Sequence, residues 1–320
     1  MEQLYTVQLA GKTLTCAFRF PEAARALNAV PISDTPASCG DFDPAAPPVR
    51  LPLEEVRYYM KDGMVDGPGS EASILTAFFS EALMPFDRCV IHAVAIRWRE
   101  QAWLICAPSG VGKTTQARCL RELRPGEFGI ICGDRPILEY RHPERSKEFA
   151  SPVPFRHPER SKEFASPVPF RHSERSEESV SSVPFRHSER SEESVSSVPK
   201  CHSERSEAEP RNPSLSSILV HPSPWNGKES WHDAPAAPLA GLILLERGDH
   251  NELLPLSARE AGIPVYLQMI HTNRDVEHIK QAAAMTTLLL GSVPAWKLIS
   301  YQVPDSTKLL LETLFQSDRL

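Results

Sequence analysis

Short apolar runs and longer segments of helical spacing both occur along this chain. Such a mixture is typical of an α/β fold, in which helices pack on a sheet of buried strands. The runs that we predict to form the strands of one mixed sheet are residues 89–96, 102–106, 129–132, 137–140, 217–220, 239–245 and 295–301. Segment 217–220 is expected to be either the partner or the continuation of 137–140.

Segments with apolar residues three or four positions apart are predicted to form helices. Residues 113–123 contain neither glycine nor proline, and Ala117 and Leu120 are their expected packing positions. We expect Ser70 to cap the helix that begins there, because its hydroxyl can accept a hydrogen bond from the first turn. The other predicted helices are residues 21–28, 256–261, 276–290 and 305–315, and the helix at Ser70 extends to residue 83.

Two hairpins are predicted from pairs of neighbouring strands. Segments 4–9 and 13–18 flank a Gly-Lys pair and begin a small β-rich N-terminal module. In the same module, residues 31–52 are rich in Pro, Asp and Ser and are predicted to form a loop. Segments 89–96 and 102–106 are joined by so few residues that they should pair antiparallel.

A repeat with a period of 15 residues interrupts the chain after the strand predicted at 137–140. Each unit carries proline and mixed charge but few apolar residues, so it cannot bury enough surface to offset its chain entropy. We therefore predict a disordered low-complexity insertion at 141–213. The histidines could bind a metal, but solvated imidazoles are favoured because nothing fixes a coordination geometry. These histidines are His142, His157, His172, His187 and His202.

The 320 residues are enough for one large domain or two modest ones. We assign residues 1–68 to the small module, and 69–140 together with 214–320 to a larger domain.

A formal net charge of −6 gives no indication of a nucleic-acid or membrane-surface partner. The cysteines include no C-x-x-C pair, no segment resembles a signal peptide, and no apolar run is long enough to span a bilayer. We therefore expect a cytoplasmic protein with reduced thiols, and we leave open whether it forms a homo-oligomer.

Residues 107–115, Ala-Pro-Ser-Gly-Val-Gly-Lys-Thr-Thr, carry the strongest chemical signal. They match the phosphate-binding loop G-x-x-x-x-G-K-[ST], with Ala107 in the first glycine position, where an alanine requires a negative φ. A predicted strand precedes the loop and a predicted helix follows it, so that backbone N–H groups would surround an anion. The alternative is a plain strand-to-helix turn made flexible by its two glycines. The expected nucleotide-binding residues of the loop are Ser109, Gly110, Val111, Gly112, Lys113, Thr114 and Thr115.

The loop and a downstream aspartate provide the minimum for a Mg-nucleotide site. Lys113 is expected to reach the β/γ-phosphates of ATP, and the Thr114 hydroxyl is expected to face Mg²⁺. Asp134 follows the strand predicted at 129–132, where it can bind Mg²⁺ or accept the proton of an attacking hydroxyl. The alternative role for Asp134 is to cap the next turn. Thr114 and Asp134 are therefore the predicted metal ligands, and Lys113 and Asp134 are predicted to be catalytic.

Three other side chains near these motifs have two interpretations each. His92 lies on a predicted hairpin strand close to the loop, and we include it among the catalytic candidates, although a lone strand histidine is more often structural. Lys228 follows Gly227 and could bind a second phosphate, as a further nucleotide-binding residue, or remain solvated. Arg135 could offset phosphate charge or form a surface ion pair.

These residues resemble the C-terminal kinase domain of HPr kinase/phosphorylase, whose fold is related to that of phosphoenolpyruvate carboxykinase. The resemblance rests on the hairpin that begins Ile91-His92-Ala93, on the loop at 107–114, and on Cys132-Gly133-Asp134-Arg135. It covers residues 88–140 and, more loosely, 217–315. A smaller bacterial branch of these kinase-like proteins is similar in its Gly-Asp-Arg motif and in its Ser-Pro-Trp-x-Gly-Lys loop, which corresponds to residues 223–228.

The resemblance implies a mixed-sheet α/β fold, ATP and Mg²⁺ bound through Lys113 and Thr114, and Asp134 acting as base toward a substrate hydroxyl. Gly133 departs from the family, which often has a first aspartate there. We therefore expect an ATP-dependent kinase-like protein that transfers the γ-phosphoryl group to a serine-type hydroxyl of a protein, a peptide or a small molecule. The alternatives are an ATP-binding module without catalysis and a degenerate kinase.

Overall fold

The computed structural model describes residues 4–34, 49, 67–141, 217–227, 229–272 and 275–316. Within these ranges the protein is mixed α/β, with a three-stranded sheet, a curled mixed sheet of nine strands, and several helices. None of the helices in these ranges has the length and apolar character that a membrane span requires. The insertion predicted at 141–213 lies outside the described residues except for Arg141, and so does most of the loop predicted at 31–52.

The N-terminal part contains the small sheet and the first two helices. β1 (Leu4–Leu9) and β2 (Lys12–Ala17) pair antiparallel, which confirms the first predicted hairpin. β3 (Val30–Pro31) pairs antiparallel with β1 on its other side. α1 (Pro21–Ala26) and α2 (Pro68–Leu83) each begin with a proline, which is favourable because the first helical N–H has no partner within the helix.

The remaining elements are nine strands and four helices of the described ranges, and they do not alternate strictly, since three strands precede the first of these helices and five consecutive strands follow it. They are β4 (Arg88–Val90), β5 (Ala93–Trp98), β6 (Gln101–Cys106), α3 (Lys113–Leu123), β7 (Phe128–Cys132), β8 (Ile137–Arg141), β9 (Ser217–His221), β10 (Ala237–Arg247), β11 (Glu252–Leu256), α4 (Ala258–Tyr266), α5 (Val276–Ser292), β12 (Ala295–Ser300) and α6 (Val303–Thr313). The second predicted hairpin is confirmed, because β5 and β6 pair antiparallel along their whole length.

β10 connects the two halves of the nine-stranded sheet. Its beginning pairs antiparallel with β9, and from there the sheet continues through β8 to β4. Its later residues run parallel to β6 and to β12, and the sheet continues from β6 through β5 to β7, while β11 pairs with β12. β9 is therefore the antiparallel partner of β8, with Arg141 directly opposite Ser217.

The strand predicted at 89–96 is in fact two strands, with a break before β5. The chain changes partners there, because β4 pairs with β8 whereas β5 pairs with β6 and β7. At the break, the backbone N–H of His92 donates to the carbonyl of Gln268 over 2.8 Å. His92 immediately precedes Ala93, which pairs with Cys106. Cys106 is the last residue before the predicted phosphate-binding loop at 107–115, which we call the glycine loop.

α2 begins earlier than the sequence predicts, and Ser70 is not its N-cap. Pro68 is the first helical residue, so Ser70 occupies the third helical position. There its hydroxyl accepts a hydrogen bond from the backbone N–H of Gly67 over 3.1 Å. The serine still stabilises the helix start, but from inside the first turn.

The region predicted as a helix at 256–261 contains the end of β11 and the beginning of α4. α4 starts after Ser257, whose hydroxyl and the Glu260 carboxylate form a capping box, and it continues through Pro264. The sequence prediction misses β11 because this strand has no buried residue and contains Pro255, a residue that disfavours central strands.

The small sheet and the large sheet share a hydrophobic cluster through α2. Leu75 and Phe79 of α2 are fully buried with Val7 of β1, and the same cluster contains Val90 and Trp225 from the larger part. The Glu71 carboxylate adds two hydrogen bonds, because it accepts the backbone N–H groups of residues 19 and 20 over 2.9 and 3.0 Å. The position of α2 is therefore fixed from both sides.

Phe315, just after α6, joins three strands through aromatic contacts. Its ring lies 5.3 Å from Trp98, 5.1 Å from Trp103 and 5.1 Å from Phe128, measured between ring centroids. These rings belong to β5, β6 and β7, the strands that precede and follow the glycine loop and α3. Phe315 is fully buried, so it supports the part of the sheet that carries the loop.

We expect Phe315→Ala to lower the free energy of unfolding by about 3–5 kcal/mol, the usual cost of truncating a buried phenylalanine. Leu267→Ala is a matched control, because Leu267 is 70% exposed at the end of α4 and should change stability by less than about 0.5 kcal/mol. Denaturant unfolding measures both variants. Equal effects in the two would contradict the role given to Phe315.

Candidate functional site

The glycine loop connects the end of β6 to the start of α3. Gly110 and Gly112 have φ values of +79° and +121°, which residues with a side chain rarely adopt. Ala107 does not have a positive φ, which explains why an alanine is accommodated in the first position of the motif. The first N–H groups of α3 have no acceptor within the helix, and together with the helix dipole they favour an anion at this end.

Lys113, the first residue of α3, folds its side chain back over the loop. Its Nζ donates to the carbonyl oxygens of Ala107 at 2.8 Å and Pro108 at 3.4 Å, and it lies 3.0 Å from Nε2 of His92. Lys113 is only 7% exposed. Burial lowers its pKa, and the negative charge of Asp134 opposes that shift. A buried ammonium is thus held at the mouth of the loop by neutral acceptors.

Nε2 of His92 lies between this ammonium and a carboxylate, because Oδ1 of Asp134 is 3.4 Å away. When deprotonated, Nε2 accepts a hydrogen bond from Lys113; when protonated, it donates to Asp134. The other carboxylate oxygen, Oδ2, lies 3.2 Å from Nε of Arg135. Burial alone would raise the pKa of Asp134. The hydrogen bond from His92 and the charges of Arg135, His92 and Lys113 outweigh burial, so the pKa is lowered.

Arg135 ties the Asp134 carboxylate to α2. Its Nη1 donates to the Thr76 hydroxyl over 2.8 Å and to the Ser73 carbonyl over 3.1 Å, and its Nη2 donates to the Ser73 hydroxyl over 3.0 Å. With these bonds made, the guanidinium has little freedom to leave the carboxylate. Arg135 therefore forms an ion pair, as in the second of its two interpretations, but its side chain is only 18% exposed and its partner is Asp134.

The segment at 223–227 lies directly against the Gly-Asp-Arg motif. The Ser223 hydroxyl donates to the carbonyl of Arg135 over 2.6 Å, and the Arg135 N–H donates to the carbonyl of Trp225 over 3.2 Å. A Cβ atom at Gly133 would lie 2.5 Å from the backbone oxygen of Asn226, closer than real contacts allow. An aspartate therefore does not fit at Gly133 unless the backbone moves.

The structure brings together Lys113, His92 and Asp134, the three residues predicted to be catalytic. Thr114, a predicted metal ligand, is half-buried in the first turn of α3, whereas Lys228 lies outside the described residues. Of the other predicted nucleotide-binding residues, the exposed ones are Ser109, Gly110 and Thr115, and the half-buried ones are Val111 and Gly112. Within the described ranges, no group of three or more His, Cys, Asp or Glu residues is arranged to hold a metal by itself.

Two residues outside the predicted set fix the position of the loop and of α3. Arg247, the last residue of β10, donates from Nη2 to the carbonyl of Gly110 over 2.7 Å and from Nε to that of Val111 over 3.2 Å. Gln116 is fully buried, and its amide donates to the Thr307 hydroxyl over 2.7 Å, which fixes α3 against α6. The sequence carries no local signal for either contact, because each partner is more than a hundred residues away.

No protein-family model matches this sequence, and no curated protein is significantly similar to it. Function therefore has to be inferred from the residues around the loop. These are a glycine loop at a helix N-terminus, a buried lysine, and an aspartate whose pKa is lowered.

We expect Gly133→Ala to lower the free energy of unfolding by about 1–3 kcal/mol, because the added methyl group forces the backbone at Asn226 to move. Gly262→Ala, on α4, is the matched control, since nothing lies within 4 Å of a Cβ atom there. The control should be unchanged or stabilised by about 0.5–1 kcal/mol. Thermal or denaturant unfolding measures both. Wild-type stability in Gly133→Ala would contradict the close approach.

The lowered pKa of Asp134 predicts a pH-dependent contribution to stability. An aspartate with a lowered folded-state pKa stabilises the protein above its unfolded pKa of about 4, and the contribution is lost as the pH falls through the folded value. We therefore expect wild type to be more stable than Asp134→Asn at pH 7, with a difference that shrinks below about pH 4. Urea unfolding across this range measures it. The pKa of Glu139 is also lowered, but Glu139 is present in both proteins, so its contribution cancels in the difference between their stabilities. A difference independent of pH would contradict the prediction.

Proposed function

We propose that this protein binds ATP with Mg²⁺ and transfers the γ-phosphoryl group to a hydroxyl acceptor. The observation that carries the proposal is the meeting of Lys113, His92 and Asp134 beside a glycine loop at the N-terminus of α3. Such a loop suits a phosphate chain, and a carboxylate beside it suits the hydroxyl that attacks the γ-phosphate. The resemblance of the same segments to the HPr kinase C-terminal domain supports this reaction.

On the phosphate side, the residues that bind are Lys113 and the loop backbone. The Lys113 ammonium donates to the neutral carbonyls of Ala107 and Pro108, and a phosphate oxygen is a stronger acceptor because it is charged. The ammonium can therefore exchange acceptors without leaving its buried position. His92, which contacts the same Nζ, loses that partner at that moment and keeps its contact with Asp134 at 3.4 Å.

The donor set suits Mg²⁺. This ion is usually bound through one or two carboxylates, with substrate phosphates and waters completing its octahedral shell, so a protein cluster of three acids is not required. The Thr114 hydroxyl and the Asp134 carboxylate are hard oxygen donors of the kind that it prefers. When bound, Mg²⁺ offsets the charge of the phosphates during transfer.

On the acceptor side, Asp134 is the base. Its lowered pKa keeps it ionised at neutral pH, so it can accept the proton of an attacking hydroxyl. Arg135 holds the carboxylate in place through its bonds to Ser73 and Thr76. We propose a protein, a peptide or a small molecule as the source of the hydroxyl.

A second function, ATP binding without catalysis, is favoured by one observation. Gly133 occupies the position at which the HPr kinase-like family often has its first aspartate, and the close approach of Asn226 leaves no room for a side chain. The site therefore has one carboxylate at a place where kinases of that family often have two. Nucleotide binding needs only the loop and Lys113, so it would survive this loss.

We expect Lys113→Ala to weaken ATP binding by roughly 10- to 100-fold, because a charge-assisted hydrogen bond to phosphate is lost. Lys308→Ala, which removes an exposed lysine of α6 paired with Asp305, should bind like wild type. Asp134→Asn should bind ATP but release ADP at least about a hundredfold more slowly, since the base is missing. Calorimetry with ATP and Mg²⁺ and an ADP-release assay measure these quantities.

The same measurements separate the two functions. ADP release by wild type that depends on Asp134 supports the kinase. If wild type binds ATP tightly but releases no ADP with any of the hydroxyl acceptors tested, the result supports the binding module. Binding that is unchanged in Lys113→Ala contradicts both.

A further inference from the structure

We propose that Arg247 is a positioning residue for the phosphate-binding loop: it holds two of the loop's peptide units in the orientation that receives a phosphate. The proposal rests on the nucleotide site proposed above, but it concerns a residue that neither the loop motif nor the family resemblance includes. Three features support it: the register of β10, the two hydrogen bonds of the guanidinium, and the charges around it.

The sheet places Arg247 beside the loop. β10 runs parallel to β6, with Leu244 paired to Cys106, the last residue of β6. β10 continues three residues beyond this pair, while the neighbouring chain has already left the sheet to form the loop. On its other side, Arg247 pairs with Ser300 of β12. The backbone that carries the guanidinium is therefore part of a rigid element, as a positioning residue requires.

The guanidinium fixes two consecutive peptide units. It donates to the carbonyl oxygens of Gly110 over 2.7 Å and Val111 over 3.2 Å. In a planar trans peptide the C=O and the following N–H point in opposite directions, so the N–H groups of Val111 and Gly112 are turned away from Arg247. That of Val111 points back to the carbonyl of Pro108 at 3.5 Å and closes the turn. That of Gly112 remains as a donor for an anion, next to the first N–H groups of α3.

The two fixed peptide units lie between or next to the two loop residues that have positive φ values. Gly110 and Gly112 both have positive φ values, and glycine loses more conformational entropy on ordering than any other residue. A loop with two such glycines samples other conformations unless something external holds it. Arginine suits this task because its planar fork can satisfy two acceptors at once, whereas lysine presents a single point charge.

The charge of Arg247 stays available to a phosphate. In the described ranges, no carboxylate lies within ion-pair distance of its guanidinium, and its acidic neighbours have other partners. Glu246 pairs with Lys297 at 2.6 Å, and Asp249 and Glu252 contact His250. An arginine bonded only to neutral carbonyls adds positive potential at the loop, which favours an approaching polyphosphate.

The test compares Arg247→Ala and Arg247→Lys with Arg121→Ala in the full-length protein. Arg121 lies on the same helix as the loop lysine and pairs with Asp233, so its loss removes an equal charge without touching the loop. Two quantities are measured: the affinity for tripolyphosphate by calorimetry, and the amide resonance of Gly112 in ligand-free protein by NMR with glycine labelling.

We expect Arg247→Ala to weaken tripolyphosphate binding by about tenfold, because the loop loses both its support and a nearby charge. Arg247→Lys should restore part of the affinity, since it keeps the charge but not the fork. Both Arg247 variants should shift the Gly112 resonance before any ligand is added. Arg121→Ala should leave that resonance in place and change affinity by less than about twofold.

A Gly112 resonance that is unchanged in both Arg247 variants would overturn the proposal, whatever the affinities show. If Arg247→Ala does not fold, the lysine variant gives the same comparison, because it keeps the long side chain and the charge. If wild type binds no tripolyphosphate, the nucleotide function fails, and the Gly112 resonance of ligand-free protein still decides whether Arg247 holds the loop.

Discussion

A buried ammonium group needs acceptors, and in this protein that need brings three strand ends together. Lys113 at the start of α3 is bonded to the backbone after β6, contacts His92 at the break before β5, and lies in the field of Asp134 after β7. An unpaired buried charge would be costly, so the geometry of the three ends is coupled through one side chain. The adjacency of β5 to both β6 and β7 makes this meeting possible.

The same site depends on the N-terminal part of the chain. Asp134 is held by Arg135, Arg135 is held by Ser73 and Thr76 of α2, and α2 shares its buried face with the small sheet. The Trp225 indole adds a second link, because its Nε1 donates to the carbonyl of residue 72 over 3.0 Å. The small module therefore contributes to the orientation of a candidate catalytic group, and its role is not limited to covering the sheet.

The parts that can be predicted from the sequence are those with a local signature. The loop is marked by two glycines before Lys-Thr, the β5–β6 hairpin by its short turn, and Asp134 by its place after an apolar run. The break at His92 has no local signature, because the residues on both sides of it belong to one continuous apolar run and only their strand partners differ. The contact of Arg247 depends on the parallel register of β10 with β6, which is set by packing across the whole sheet. Lys228 remains a prediction, as do the nucleotide and the acceptor.

The pairing of Arg141 with Ser217 has an evolutionary consequence. The chain leaves the sheet at the end of β8 and returns to it directly opposite, at the start of β9. For a disordered insertion, which the sequence predicts here, the free energy of loop closure would grow only with the logarithm of its length, by about 0.6 kcal/mol for each doubling. Gain or loss of whole 15-residue units by slippage in the coding DNA would barely change the stability of the sheet. On this prediction the repeat number would be nearly invisible to selection for folding, and related chains would differ there in length while keeping β8, β9 and the site unchanged.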